Sequence, residues 1–379
     1  MISRLKKAII SKDKEYLKQV LSDFEKYNNW SLITVIDDLL PLMLMESNLR
    51  YGSFHTVKMN LFLRRLALEG YFSKDTEKEI LRLIAFEMAE RNWVSITANR
   101  IKSAKDEEFS SVEGIAGIVK ELHRGNVHNA FYYALGLLEN DRNAFCHLLL
   151  KLGANAIPKS LGHSISCFYP VVEDMIVTDH THTDTALLTY IMYLARYEAN
   201  EDMIHKEYGH TKEEMNYGRF LKICSYGTGI VEVHHTITFY LMAEWEKALF
   251  NIDSEVPYGI LVDWVGEKET DEEREKRADK AEYSGHIPET YEEFESKFSL
   301  DNIDDSIPMV FRVIEEKPEK SVDWLFRIYT SKYENSWNPH YYTSLYCALR
   351  FYIEDVIDDK IACRMGMDQA LKYFAKGIR

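Results

Sequence analysis

With 379 residues, 46% hydrophobic and 13% aromatic, the chain is long and apolar enough to bury a sizeable core. Its formal net charge of −15 disfavours nucleic acid and anionic membranes as partners, because both repel an acidic surface. No stretch contains the roughly 20 apolar residues of a membrane span, and the charged N-terminus lacks the apolar core of a signal peptide. We therefore expect a cytoplasmic protein with a small-molecule partner; its oligomeric state stays open.

Helical periodicity dominates the first hundred residues. Residues 3–27 place their apolar side chains along one stripe, and the runs 30–45 and 75–93 repeat that pattern. The third run opens with Asp75 and further acidic residues, which favour a helix N-terminus through the helix dipole. Gly70 follows an apolar run, where a helix C-cap is expected.

The same period recurs further along the chain. Residues 129–139, 142–153 and 184–199 each fit a helix, and Gly153 closes the second of these runs at an expected C-cap. Alternating, β-branched segments are scarce, although residues 228–233, TGIVEV, fit a short strand. The prediction is an all-α protein, a multi-helical single body with its helices packed around a central cavity.

One helical domain is predicted over residues 1–379. The 8 prolines and 17 glycines leave little material for linkers, and no fixed-period repeat is visible. Residues 266–298 are the least core-like segment; their charge density predicts an exposed excursion over one face, with a domain boundary as the alternative. The cysteines are odd in number and include no CxxC pair, which favours reduced thiols.

Histidine recurs at the start of apolar helical runs. In five stretches a histidine precedes such a run, and in four of them Ser, Thr or Asn follows the histidine directly. The five residues are His55, His128, His163, His235 and His340.

Three of these histidines have a suitable helix N-cap two places earlier, namely Ser53, Asn126 and Asn338. Pro339 then occupies the first helical position, where its missing N–H has no intrahelical partner to lose. The positive end of the helix dipole disfavours protonation in a first turn, so neutral imidazoles are expected. Neutral imidazole binds metals or accepts a proton. If the helix starts converge, the histidines line one pocket; if they are scattered, each is structural.

Aromatic residues follow the histidines closely. Most are expected in the core, where large aromatic side chains are usually found. Should the helix starts converge, these rings would instead line a pocket able to stack on a flat aromatic ligand. The candidate substrate-binding residues are Tyr132, Tyr133, Tyr240 and Tyr342.

The order of the five histidine stretches resembles the questin oxidase-like family. The matching segments are spread over about residues 50–355 and comprise YGSFHTVKMNLFLRRLA, HRGNVHNAFYYALGLLE, LGHSISCFYPVVEDM, VHHTITFYLMAEW and NPHYYTSLYCALRFY. The resemblance implies a helical protein and, for the family's namesake, an NADPH-dependent oxygenase that cleaves an anthraquinone ring. It also implies the five histidines as the matching positions, with His234 competing with His235.

The chain departs from the family pattern in two of these stretches. Asn126 and Asn129 stand where apolar or basic residues are more usual, and Pro170 is expected to kink or restart the helix after His163.

On these grounds we expect an oxidoreductase of monooxygenase type that acts on a planar aromatic or polyketide-like molecule. His163 and His235 are the acid/base or ligand candidates, while His55, His128 and His340 orient the substrate or complete a metal site. NADPH is implied by the resemblance alone, since no complete nucleotide-binding motif is visible.

Two alternatives belong to other functional classes. His180, His182 and Asp184 form an HxHxD pattern suited to the metal of a hydrolase, because alternate residues of an extended chain point the same way. As a loop between helices the same segment needs no metal. A single ExxH, Glu207 with His210, lacks the second copy that a di-iron bundle requires. The other alternative is a non-enzymatic helical scaffold that binds a partner protein.

Overall fold

Helices make up all the regular secondary structure of the described residues, so the all-α prediction is confirmed. The computed structural model describes residues 1–27, 29–44, 54–91, 109–178, 180–197, 216–248, 255–266, 272–331, 338–354 and 357–378.

The first five helices carry the apolar stripes that the periodicity predicts. Asp13, Ser31 and Ser73 cap three of them by accepting hydrogen bonds from backbone N–H groups in the first turn. Gly70, with φ at +78°, follows the fourth helix at the predicted C-cap. The helices are α1 (Ile2–Ser11), α2 (Lys14–Lys26), α3 (Leu32–Met43), α4 (His55–Leu68) and α5 (Lys74–Glu90).

The middle of the chain alternates long and very short helices. Pro170 is the second residue of a new helix and separates it from the helix that begins at His163, as predicted. Gly153 was predicted as a C-cap and instead lies inside a helix, where an added Cβ would stand 2.9 Å from Ile165 Cδ1. The elements are α6 (Ser111–His123), α7 (Val127–Asn140), α8 (Arg142–Asn155), α9 (Ile157–Ser160), α10 (His163–Ser166), α11 (Tyr169–Val171), a π-helical segment (Val172–Val177) and α12 (Thr183–Leu194).

Helices also fill the described C-terminal part. The strand predicted for residues 228–233 is wrong, because the helical hydrogen bonding of the following run already begins with Val233 N–H donating to Gly229 O. The helices are α13 (Tyr217–Cys224), α14 (Ile230–Ala248), α15 (Glu255–Val265), α16 (Glu272–Lys280), α17 (Tyr291–Lys297), α18 (Ile303–Glu316), α19 (Pro318–Ser331), α20 (Pro339–Ile353) and α21 (Lys360–Ile378).

Helix α14 packs against helices from different parts of the chain. It contacts α10 on one side and α20 on the other, and α20 also packs against α4. Buried apolar side chains from Leu5 to Ala375 join one hydrophobic core around these helices. All five cysteines are buried, and none forms a disulfide, in line with the reduced thiols that the sequence predicts. No helix in the described ranges combines the length and apolar character needed to cross a bilayer.

The charged segment 266–298 has both exposed and anchored parts. Residues 284–286 are exposed. Arg274 is buried in α16 and pairs with Asp368 of α21 at 2.6 Å, while Phe294 of α17 is fully buried against Trp324. Both helices of the segment are therefore held onto the C-terminal part of the core.

Candidate metal centre

Four histidine rings from four helices meet in the interior. His55 and His163 are the first residues of α4 and α10, His340 is the second residue of α20, and His234 lies in the second turn of α14. The first two and His234 expose 5% or less of their surface, and His340 is partly buried. One short helix, α10, and three long ones thus bring the rings to one point, and three of the four rings come from a first turn.

The rings form a closed quadrilateral. Centroids are 4.7 Å apart for His55 and His163, 4.7 Å for His163 and His234, 4.6 Å for His234 and His340, and 4.5 Å for His340 and His55. The His163 to His340 diagonal is 5.9 Å. Nε2 of His163 lies 3.2 Å from Nε2 of His55 and 3.1 Å from Nε2 of His234. The Nε2 atoms of His55, His163 and His234 thus lie next to one another inside the quadrilateral.

The outward nitrogens determine which tautomer each ring adopts. Nδ1 of His163 lies 2.5 Å from the Ser160 carbonyl oxygen, and Nδ1 of His234 lies 2.6 Å from the Ile230 carbonyl oxygen. A carbonyl oxygen only accepts hydrogen bonds, so both Nδ1 atoms must carry the proton and donate it. The Nε2 atom of each neutral ring then has no proton and presents a lone pair.

His340 is oriented by a side-chain amide. Its Nδ1 lies 2.6 Å from Oδ1 of Asn338, the residue that also caps α20, and the amide nitrogen of Asn338 donates to Tyr373 Oη at 3.1 Å. The bond from the amide nitrogen to Tyr373 identifies Oδ1 of Asn338 as the atom that faces the imidazole. Nδ1 of His340 therefore donates a hydrogen bond to Oδ1, and Nε2 of His340 carries no proton. Nε2 of His340 is buried and has no hydrogen-bond partner among the described residues. His55 differs, because its Nδ1 lies 3.3 Å from Cys167 Sγ.

Burial keeps the imidazoles neutral. It is the largest cause that lowers the pKa of all four, in the case of His234 to about 4. The ammonium of Lys58 lowers the pKa of each ring further. The sequence predicted neutral imidazoles from the helix dipole; in the folded chain, removal from water is the stronger cause.

A cation would relieve the contact between His163 and His234. With both Nδ1 atoms donating to carbonyls, no proton lies between Nε2 atoms that are 3.1 Å apart, and two lone pairs face each other. Protonating either ring would relieve this, but the lowered pKa of both opposes it. A metal ion relieves it without a proton.

The spacing suits a transition metal. At Zn–N distances of about 2.0–2.1 Å, neighbouring nitrogens of a tetrahedral centre lie about 3.3 Å apart. His55, His163 and His340 each place one potential ligand atom within 4.8 Å of the others. Imidazole donors suit zinc, copper, iron and nickel, and ligand imidazoles commonly donate their other N–H to a carbonyl or amide oxygen, as three of these rings do.

Two of the predicted histidines lie elsewhere. His128 is exposed on α7, even though Asn126 caps that helix as predicted. His235 is buried on another side of α14, with its ring edge-on to Trp264 at 4.5 Å between centroids. Its neighbour His234 occupies the centre instead. The HH pair was the only sequence signal for His234, since adjacent helical residues point about 100° apart and the pattern does not say which faces inward.

The predicted tyrosines make core contacts. Tyr133 packs against Phe109 and over Gly117 of α6, and Tyr132 lies edge-on to Tyr133. The other two candidates also bond within the packed helices. The Tyr240 hydroxyl donates to Glu354 at 3.4 Å, and the Tyr342 hydroxyl donates to the Tyr329 carbonyl at 3.2 Å.

The HxHxD segment runs from the turn before α12 into the first turn of that helix, which contains Asp184. The His180 and His182 rings are 5.5 Å apart and Asp184 is exposed. Within the ranges given above, the one group of three potential ligands is His55, His163 and His340, and the HxHxD segment forms no such group. The predicted cap Ser53 and the ExxH residues Glu207 and His210 lie outside the described residues.

Comparison of the chain with protein-family models, with curated proteins and with solved structures finds no match.

Proposed function

We propose that the protein is a metal-dependent enzyme that binds one divalent transition metal ion through Nε2 of His55, His163, His234 and His340. The observation that carries the proposal is the 3.1 Å contact between His163 and His234, whose lone pairs face each other because both outer nitrogens donate to carbonyls. Binding a cation there removes a repulsion that the fold otherwise has to sustain.

The chain's own residues would prepare the site for the ion. Ser160, Ile230 and Asn338 hold three rings in the ligand tautomer. Burial keeps the rings deprotonated, so the metal displaces no proton from them near neutral pH. Four neutral ligands leave the charge of the ion undiminished, which favours binding and polarising an anionic or oxygen-rich ligand.

The type of reaction that we propose is oxidation of a planar aromatic or polyketide-like molecule. A redox-active metal bound by imidazoles would supply electron transfer or oxygen chemistry. The resemblance of the stretches around His55, His163 and His340 to the questin oxidase-like family supports this choice, and the use of NADPH rests on that resemblance alone.

Metal analysis of protein purified without an affinity tag tests the proposal. We expect about one transition metal ion per chain. His163→Ala and His234→Ala should lose it, while His128→Ala, which changes an exposed histidine of another helix start, should retain it. NADPH and oxygen consumption with hydroxyanthraquinones then tests the reaction, which should require the metal.

The outcomes separate the parts of the proposal. Equal metal content in all variants and wild type would contradict the centre, and metal lost only on changing His180 and His182 would move it to the HxHxD segment. Metal-loaded protein that oxidises none of these substrates would contradict the reaction and leave the centre standing. Protein without metal that binds neither quinones nor NADPH would favour a scaffold.

A further inference from the structure

A buried lysine lies beside the four histidines. Lys58 follows His55 by three residues on α4, so both side chains lie on the same face of that helix. It exposes 1% of its surface and is among the largest fully buried side chains of the chain. Its positive charge reaches all four imidazoles.

Among the residues that the structure describes, Lys58 differs from the other buried cations in having no acidic partner. Arg65 pairs with Asp174 at 2.9 Å, and Arg274 pairs with Asp368 at 2.6 Å. For Lys58, no Asp or Glu in the parts of the chain that the structure describes forms an ion pair. A buried ammonium without a counter-charge is costly, and natural proteins rarely retain one without a use.

The charges near the centre are all positive or neutral, so a nearby anion would stabilise them. The four imidazoles are neutral ligands, so a divalent ion keeps its full charge and the Lys58 ammonium adds one more. An interior of low dielectric does not tolerate such an excess unless an anion neutralises part of it. The ligand group found among the described residues contains no carboxylate, so an anion from outside the chain can meet this need.

We propose that Lys58 and the metal ion together bind an anionic oxygen of the substrate, which makes the substrate a small molecule carrying a phenolate, enolate or carboxylate. The inference rests on the proposed function, because the metal supplies half of the site. The oxygen would coordinate the ion as a fifth ligand, beside the four imidazoles, and accept a hydrogen bond from the Lys58 ammonium; a charge-assisted bond of this kind is roughly twice as strong as a neutral one.

Anion binding to cobalt-loaded protein tests the inference. Acetate is titrated into wild type and Lys58→Met while the visible spectrum of the cobalt is followed, and imidazole serves as a neutral probe ligand. We expect Lys58→Met to weaken acetate binding about tenfold or more, the loss of one charge-assisted hydrogen bond, with imidazole binding unchanged. Lys58→Arg should restore much of the acetate affinity, and Lys159→Met, a change of an exposed lysine, should have no effect.

Each outcome has a distinct meaning. Acetate bound equally by wild type and Lys58→Met, at equal cobalt content, overturns the inference and leaves the metal centre intact. Equal weakening of acetate and imidazole also overturns it, because a general distortion of the site would act on both. Wild type that takes up no cobalt overturns the proposed function itself. Should Lys58→Met fail to fold, Lys58→Gln is measured in its place against the same two probes.

Discussion

At the scale of single residues, the candidate centre depends on acceptors that orient imidazoles. Asn338 combines two roles, since its Oδ1 accepts from the backbone N–H of His340, as an N-cap does, and also faces Nδ1 of the same residue. Asn126 has only the first role, because it caps α7 while His128 points to solvent. Comparing the two asparagines therefore distinguishes the effect of helix capping from the effect of orienting a ligand histidine.

Asn338→Ala should weaken metal binding by about 10- to 100-fold, the usual effect of removing a partner that orients a ligand. Asn126→Ala should leave metal affinity unchanged, and each variant should lose about 1 kcal/mol of unfolding free energy with its cap. Competition with a chelator measures the affinities, and urea denaturation measures the stabilities. Identical metal affinity in both variants would mean that Asn338 acts as a cap alone.

At the scale of elements, α10 is a short helix that presents His163 only because the chain turns tightly before it. Gly162 has φ at +73°, in the left-handed region that favours glycine, and an added Cβ there would stand 2.0 Å from Thr238 Oγ1 of α14. Backbone conformation and close helix approach thus both require glycine where α10 meets α14.

Gly162→Ala should cost more stability than Gly125→Ala. Gly125 has a similar φ of +68° but open space around it, so its substitution isolates the backbone strain of about 1 kcal/mol. The clash with Thr238 should add about 1–3 kcal/mol at Gly162. Thermal denaturation measures the stability of the two variants. Equal melting temperatures would show that α14 shifts enough to make room for the added Cβ at no further cost in stability.

The sequence predicts where helices form better than it predicts which face of each helix points inward. The apolar period and the caps Asn126 and Asn338 correctly predict where two of the helices start. For α14 the start was missed, because Ile230 to Val233 are also good strand residues and only the continuing hydrogen bonds decide for a helix. The face that α14 turns to its neighbours selects His234 over His235.

At the scale of the whole molecule, a partly buried carboxylate lies on α14, the helix that also carries His234. Glu244 of α14 has a pKa of about 7, raised mainly by burial and further by the carboxylates Glu354 and Glu173, while Lys247 and Arg65 oppose the shift. Its Oε1 is buried and has no hydrogen-bond partner in the parts of the chain that the structure describes. Ionising this group acts against the folded state.

Glu244 should make the protein less stable as pH rises. Between its ordinary pKa of 4.5 and the folded value of about 7, the folded chain holds a proton that the unfolded chain has lost, so unfolding free energy falls with increasing pH across that window. The loss should reach roughly 1–3 kcal/mol above pH 7. Glu244→Gln removes the effect, so the stability difference between wild type and variant should shift with pH; a constant difference from pH 4.5 to 8 would contradict it.

The sequence by itself determined that the chain is helical and that several histidines stand at helix starts, because apolar period and capping are local properties read from neighbouring residues. Tertiary structure alone decided that His55, His163, His234 and His340 meet, that His128 faces solvent, and that Lys58 lies beside the rings. The residues of that centre are up to 285 positions apart, from 55 to 340, and no local pattern encodes which faces of separate helices will pack together.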